Sequence, residues 1–349
     1  MSTEPRHRLI ETALDRFRMR QSVSAVGAAM IGAIGDPITC VIGSPSRRSN
    51  DRIQSSDAWH IGSCTKSITA ALWARLVELG YADWDISLME VFSHHKEIDN
   101  GWRHVTIRDA LNCRAGLPTN FDDDIFDAAW HDTRPLSEQR ADVVERSLRM
   151  SPARAGQFLY SNLSYIIVGA AIDRIASATF EDALRLHILE PLQVDSVGFG
   201  PPPRIRGHRS RIRFGGIGWL KGPSVDPNET GSDNPLVFSS AGTMHVTLKD
   251  WTVLLRVFLD GTEDPILQKD SLEELFHLPI SSGSCMASGW MKSDRSLISY
   301  IMQGSNTLWS ATAALDQDRK RCVVVVCNAG RTRVLNGSVS LATYLMARW

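Results

Sequence analysis

Residues 60–72 read His60-Ile61-Gly62-Ser63-Cys64-Thr65-Lys66-Ser67-Ile68-Thr69-Ala70-Ala71-Leu72, and this stretch decides how the rest of the chain is interpreted. Its apolar residues recur at helical spacing, which predicts a buried helix. Ser63 and Lys66 are three residues apart, so on a helix they lie on one face, one turn apart. Ser63 would stand at the helix start, where unpaired N–H groups and the helix dipole favour a developing negative charge.

This pairing of a serine with a lysine fits nucleophilic catalysis. A serine hydroxyl is a poor nucleophile until a base accepts its proton. A lysine in water is protonated at neutral pH, whereas burial favours the neutral amine that could act as the base. The spacing alone does not decide, because it occurs again from Ser93 to Lys96 in a polar stretch without an apolar helix after it.

A second segment supports the catalytic interpretation. Tyr160 and Asn162 are two residues apart, in a predicted turn before an apolar helix, so both side chains can point into one cleft. A phenol there can relay a proton to a leaving group, and an amide can orient the lysine and a substrate carbonyl. Taken alone, Asn162 is equally typical of a helix cap.

Together these segments resemble the serine β-lactamase-like proteins, the group of class C β-lactamases, DD-peptidases and esterases. The resemblance runs from residue 20 to the C-terminus, with further matching segments at residues 105–111, 115–118, 190–199, 239–244 and 288–290. It implies an α+β fold of the β-lactamase/transpeptidase-like kind: an antiparallel sheet flanked by helices, plus a mostly helical domain. Residues 1–58 and 283–349 would form the sheet domain, and residues 59–282 the helical domain that carries the catalytic segments.

The resemblance also implies roles. Ser63 would be the nucleophile, Lys66 its base, Tyr160 a second acid/base and Asn162 a polar orienting group. The family's third motif, Lys-Thr-Gly or His-x-Gly on an edge strand, corresponds here to residues 302–307, Met-Gln-Gly-Ser-Asn-Thr.

Within that third motif, Met302 stands where the family has a cation, whereas Gly304 is retained. The backbone N–H groups of Ser63 and Ser305 would form the oxyanion hole. Gln303 does not replace the cation, because alternate strand residues face opposite sides of a sheet.

The missing cation shapes the expected substrate. In the family the Lys or His helps to hold a substrate carboxylate, which a methionine cannot do. We therefore expect a serine hydrolase acting on a small-molecule ester, thioester or neutral amide, and rank true β-lactamase activity lower.

Two alternatives stay open at this stage. One is an acyltransferase or cyclase with a CoA- or carrier-bound donor, favoured by five arginines within residues 204–213. The other is a catalytically silent binding protein, favoured by Met302. Trp219 and Trp309 would either cover the acyl pocket or simply pack.

Composition limits the remaining possibilities. The chain has 349 residues and a net charge of −1, which does not favour nucleic acid or anionic membranes as partners. The N-terminus lacks the apolar run of a secretory signal, and the apolar stretch 23–34 is too short to span a membrane. Six cysteines without paired or metal-type spacing indicate free thiols in a reducing compartment. We therefore expect a cytoplasmic protein without a metal or organic cofactor.

Overall fold

A computed structural model describes residues 3–95, 97–211, 220–263, 265–278 and 286–349. The helices are α1 (Thr3–Gln21), α2 (Thr65–Glu78), α3 (Leu88–Val91), α4 (Ile107–Leu111), α5 (Asp123–Ala129), α6 (Leu136–Leu148), α7 (Asn162–Ile175), α8 (Phe180–Leu184), α9 (Leu248–Arg256), α10 (Lys269–Leu275) and α11 (Thr332–Met346). Short 3-10 turns cover Gly62–Cys64, Asn100–His104 and Leu236–Phe238, and a π-helical turn covers Arg185–Leu189.

The strands are β1 (Ala25–Gly32), β2 (Ile38–Gly43), β3 (Ala58–His60), β4 (Gly198–Phe199), β5 (His208–Arg211), β6 (Leu220–Ser224), β7 (Met244–Thr247), β8 (Met286–Ala287), β9 (Trp290–Lys292), β10 (Tyr300–Ser305), β11 (Ser310–Leu315) and β12 (Arg321–Cys327). A seven-stranded antiparallel sheet has the order β2-β1-β12-β11-β10-β9-β8. The chain leaves this sheet after β2 and returns at β8, as the sequence predicts. The α+β fold of the β-lactamase/transpeptidase-like kind is confirmed.

The two faces of the sheet belong to two hydrophobic clusters. Strand β12 shows the period-two alternation: Val323 and Val325 pack with α1 and α11, whereas Val324 and Val326 join the larger core around α2. Helix α2 is buried along most of its length: residues 65–74 and Leu76 are all buried, so nearly every side of the helix packs against protein. The sheet and this buried helix therefore hold the start of α2 against β10.

Two smaller sheets lie outside the sequence-based expectation. Strand β3 pairs with β7, which also pairs with β4, and β5 pairs with β6. Strand β3 matters for the site, because it delivers His60 and Ile61 directly to the turn that carries Ser63; the N–H of Ile61 donates to the Met244 carbonyl at 3.0 Å. Strands β3, β4 and β7 have only two to four residues each, which is too short for their side-chain alternation to be recognised in the sequence.

Residues 163–188, whose apolar pattern is helical, do not form one continuous helix. Helix α7 ends at Ile175, and α8 begins at Phe180 after a turn in which Thr179 caps the new helix. Within the described ranges, no single helix is both long and apolar enough to cross a membrane; α7 and the segment Phe180–Leu189 reach that length and composition only as a pair bent by 77°.

Candidate active site

Ser63 lies in the 3-10 turn immediately before α2, at the helix start that the sequence predicts. Gly62 adopts a left-handed backbone with φ of +53°. A Cβ at Gly62 would lie only 2.6 Å from the backbone nitrogen of Ser305, so glycine is required both for the conformation and for the close approach. The turn thereby presses the Ser63 backbone against β10.

Lys66 is one turn further along α2, with 1% of its surface exposed. Its Nζ donates to Asn162 Oδ1 at 2.7 Å and to the Ala241 carbonyl at 2.6 Å, and it lies 3.2 Å from Ser63 Oγ. The two carbonyl oxygens occupy two N–H groups, so the remaining position of the nitrogen faces the serine hydroxyl. Lys66 Nζ is thus held at hydrogen-bond distance from Ser63 Oγ.

Tyr160 completes the contact set around the serine. Its hydroxyl lies 2.7 Å from Ser63 Oγ and 3.5 Å from Asn162 Oδ1. Lys66 Nζ is 5.1 Å from the centre of the Tyr160 ring. The phenol is thus within hydrogen-bond distance of the Ser63 hydroxyl and beside the lysine.

Helix α7 positions this tyrosine segment. Asn162 is the first residue of α7, and the Ser161 side chain caps the helix by accepting from the Ser164 N–H. The Ser161 hydroxyl also donates to the Pro118 carbonyl at 2.6 Å. The Asn162 side-chain amide donates to Asn120 Oδ1 at 2.8 Å, which fixes which of its atoms faces Lys66. Asn162 therefore contacts Lys66 from the first residue of α7, and the helix cap is Ser161, not Asn162.

The third motif lies beside Ser63 in the expected register. A Cβ at Gly304 would overlap the Ile61 carbonyl oxygen and stand 2.7 Å from the Ser63 nitrogen. Only glycine at this strand position lets β10 approach the nucleophile turn. The backbone nitrogens of Ser63 and Ser305 therefore both lie at the close contact between the turn and β10.

The two side chains before Gly304 point to opposite faces, as predicted. Met302 is 2% exposed and belongs to the core around α2. Gln303 lies on the other face and donates to the Leu335 carbonyl in α11 at 3.1 Å. Met302 is thus part of the core next to the site. It carries no charge and has almost no exposed surface that a substrate could contact.

Of the two tryptophans that would either cover the acyl pocket or simply pack, Trp309 packs inside the protein. Trp309 is 1% exposed, stacks on His60 with ring centroids 5.3 Å apart and donates from Nε1 to the Ile205 carbonyl at 2.9 Å. Trp309 therefore packs behind the turn that carries Ser63, through its contact with His60. It does not cover an acyl pocket, because its ring is already enclosed by protein. Trp219 and Lys96, which belongs to the second Ser-x-x-Lys pattern, lie outside the described residues.

An aromatic wall stands on the side of the site next to Asn120. Phe121 lies 5.2 Å from Phe238 and 5.8 Å from Phe126, whose ring is 4.9 Å from that of Trp130. Three consecutive aspartates, residues 122–124, form the start of α5 beside this wall and are exposed. The rim is therefore apolar with a negative edge.

The predicted arginine-rich patch is largely paired where the structure describes it. Arg204 contacts Asp57 at 2.6 Å, and Arg209 contacts Glu229 at 3.4 Å. Arg206 lies 3.9 Å from Asp226. Carboxylates thus already face three of the five arginines, which weakens the case for a phosphate-binding patch.

Sequence reasoning missed several members of the site. The Ala241 carbonyl and Asn120 hold Lys66 and Asn162, and a backbone carbonyl or a lone asparagine leaves no signal in sequence. A buried pair of His60 and Asp233, 2.7 Å apart, lies behind the nucleophile turn, yet its members are 173 residues apart. Burial raises the pKa of the neighbouring Cys64 thiol, so this cysteine does not compete as a nucleophile.

No cluster of three or more potential metal-ligating side chains occurs within the described ranges. His94 and His95 lie close together, with ring centroids 4.1 Å apart.

Comparisons with known proteins identify similar sequences and folds. A family model described as Beta-lactamase matches residues 18–338. Among curated proteins, the Unguisins hydrolase ungD of Aspergillus violaceofuscus is 28% identical over 153 residues, covering 41% of this chain and 26% of that protein. The match thus spans about a quarter of the relative's length.

Two solved structures share the fold over nearly the whole chain. A structure described as SurE superposes with a TM-score of 0.79 at 18% identity, covering 99% of this chain and 77% of that one. The D-amino acid amidase of Ochrobactrum anthropi SV3, in complex with L-phenylalanine amide, gives a TM-score of 0.77 at 21% identity, covering 99% of both chains.

Proposed function

The chain belongs to the Beta-lactamase family of serine hydrolases, and we propose that it acts through an acyl-enzyme on Ser63 with a neutral ester, thioester or amide as substrate. The observation that carries this proposal is the contact set of Ser63 Oγ: 2.7 Å to the Tyr160 hydroxyl and 3.2 Å to Lys66 Nζ. A hydroxyl between a buried amine and a phenol has both a proton acceptor and a proton relay at hydrogen-bond distance.

The reaction then follows from the geometry. Ser63 Oγ attacks the substrate carbonyl carbon while Lys66, assisted by Tyr160, accepts its proton. The N–H groups of Ser63 and Ser305 stabilise the oxyanion, and Tyr160 passes a proton to the leaving group. The acyl group now bonded to Ser63 is released by water, which loses its proton to the same pair of side chains.

Charge around the cleft supports a neutral substrate. Met302 supplies no cation for a carboxylate, and the acidic start of α5 repels anions. In the aromatic wall, Phe121, Phe126 and Trp130 are only partly buried and offer an apolar surface for the acyl side chain, whereas Phe238 is buried behind them. An amide substrate is in keeping with the similar fold of the D-amino acid amidase.

Transfer of the acyl group to an acceptor other than water is the weaker alternative. Its main support was the arginine-rich segment, and the described arginines there face carboxylates. Accumulation of a long-lived acyl adduct, released only when an amine or thiol is added, would favour transfer over hydrolysis.

The test compares two aryl esters of equal length, one ending in a methyl ester and one in a carboxylate, with the wild type, Ser63→Ala and Ser67→Ala. Ser67 is the matched control, since it is a buried serine on the same helix that bonds only the Cys64 carbonyl. We expect Ser63→Ala to abolish turnover, Ser67→Ala to retain it, and the neutral ester to be preferred. Equal or faster turnover of the carboxylate ester, or of a penicillin, would contradict the substrate assignment.

A further inference from the structure

The carboxylate of Asp233 joins two elements that meet at the site. Its side chain is 3% exposed. Oδ2 lies 2.7 Å from His60 Nε2, and Oδ1 accepts from the Asn306 side-chain amide at 2.7 Å and from the backbone N–H of Asn234 at 2.8 Å. One carboxylate thus contacts a residue just before Ser63 and a residue directly after Ser305.

The His60 side leads to the nucleophile turn. The backbone N–H of Gly62 donates to His60 Nδ1 at 3.1 Å, so Nδ1 carries no proton. His60 is therefore the neutral tautomer with its proton on Nε2, which donates to Asp233. The orientation of the Gly62 peptide, and with it the adjoining Ser63 N–H, depends on this chain of two hydrogen bonds.

The Asn306 side leads to the opposite donor. Asn306 directly follows Ser305, and its Oδ1 accepts from the N–H groups of Leu308 and Trp309 at 3.1 and 3.2 Å. The Trp309 ring then stacks on His60. The turn after β10 and the turn before α2 are therefore connected through side chains as well as through the sheet.

We propose, on the basis of the function above, that Asp233 is a positioning residue that fixes the separation of the two oxyanion-hole N–H groups. Each oxygen of its carboxylate controls one donor, so a change at this single residue moves both. His60 itself does not act as an acid or base on substrate, because it is 1% exposed and both ring nitrogens are already bonded.

The test is Asp233→Asn, which keeps the shape of the side chain. Its amide oxygen must face Asn306 and Asn234, which leaves its NH2 group facing the His60 Nε2–H, donor against donor. Either this bond is lost or the histidine changes tautomer and loses its bond from Gly62. We expect kcat for the neutral ester to fall about 10- to 100-fold, with KM changing less than about threefold.

Two further readouts separate positioning from general loosening. The turnover rate of a carbonyl ester divided by that of its thionoester should fall in Asp233→Asn. The oxyanion hole accelerates the carbonyl ester more than the thionoester, because sulfur is a poor hydrogen-bond acceptor, so a distorted hole slows mainly the carbonyl ester. The ¹⁵N spectrum of the His60 ring should show a protonated Nε2 and a bare Nδ1 in the wild type, and a changed pattern in the variant.

The control is Glu229→Gln on the same loop, which removes the same charge from an exposed side chain and should leave kcat and the rate ratio unchanged. If Asp233→Asn does not fold, Asn306→Ala breaks only the Ser305 side and should lower kcat and the ratio in the same direction. Wild-type kcat and ratio in a folded Asp233→Asn would overturn the inference alone. An inactive wild type would overturn the proposed function and this inference together.

Discussion

Replacing Gly304 with alanine tests the close approach on which the site depends. The added Cβ would overlap the Ile61 carbonyl oxygen and stand 2.7 Å from the Ser63 nitrogen and 2.9 Å from the Cys64 nitrogen, where ordinary contacts begin at 3.4 Å. The Ile61 carbonyl oxygen sets the size of the shift: strand β10 and the nucleophile turn must separate by about 1.5 Å to restore ordinary contact there, since a close-packed interior has no spare room beside the turn. Misplacement of about 1 Å costs on the order of 100-fold in rate.

We therefore expect Gly304→Ala to lower kcat for a neutral aryl ester by about 100-fold, which corresponds to about 2.7 kcal/mol of transition-state stabilisation. The matched control is Gly242→Ala. A Cβ there would lie 3.8 Å from the Ser63 nitrogen and 3.9 Å from Ser63 Oγ, which is ordinary contact beside the same nucleophile. It should stay within a few-fold of the wild type.

The assay is steady-state ester turnover, together with thermal unfolding of each variant to establish that the protein is folded. A folded Gly304→Ala protein with wild-type kcat would refute the close approach of β10 to Ser63. An equal loss in Gly242→Ala would show that any added methyl group near the serine is harmful, and would remove the steric argument specific to Gly304.

Three more outcomes are expected. Tyr160→Phe should lower kcat about 100-fold or more because it removes the phenol 2.7 Å from Ser63 Oγ, whereas Tyr165→Phe, whose hydroxyl bonds the Leu111 carbonyl, should cost about 1 kcal/mol of stability in urea unfolding and little activity. Arg140→Leu should cost about 3–5 kcal/mol in the same measurement because it leaves two carboxylates buried without their cation, whereas Arg134→Ala, in an exposed pair, should cost less than about 1 kcal/mol. Burial lowers the pKa of His208 from 6.5 to about 4, so on acidification the unfolded chain binds a proton at a higher pH than the folded protein does. The free energy of unfolding should therefore be retained above pH 6.5 and fall by about 3 kcal/mol as the pH drops towards 4. His208→Gln should lack this contribution when unfolding is measured across the same pH range.

Much of the catalytic arrangement was accessible from sequence because it is local. Ser63 and Lys66 are one turn apart and Tyr160 and Asn162 flank one helix start, so the sequence spacing predicts that the members of each pair lie close together. The opposite orientation of Met302 and Gln303 likewise follows from the period of a strand.

The remainder depends on contacts between distant segments. Asp233 meets His60 across 173 residues, and the Ala241 carbonyl meets Lys66 across 175. Neither partner carries a pattern of its own, because a single buried carboxylate or backbone carbonyl looks the same in any loop. Trp309 was ambiguous for a related reason: only packing decides whether a tryptophan covers a pocket or supports it from below.

The most direct test of the central claim is the mass of the intact protein after treatment with a fluorophosphonate, followed by peptide mapping of the adduct. The arrangement around Ser63 predicts a single adduct on the peptide that contains Ser63, lost in Ser63→Ala and preserved in Ser67→Ala. A folded wild-type protein that forms no adduct, or one modified at a different serine, would contradict the assignment of Ser63 as the nucleophile.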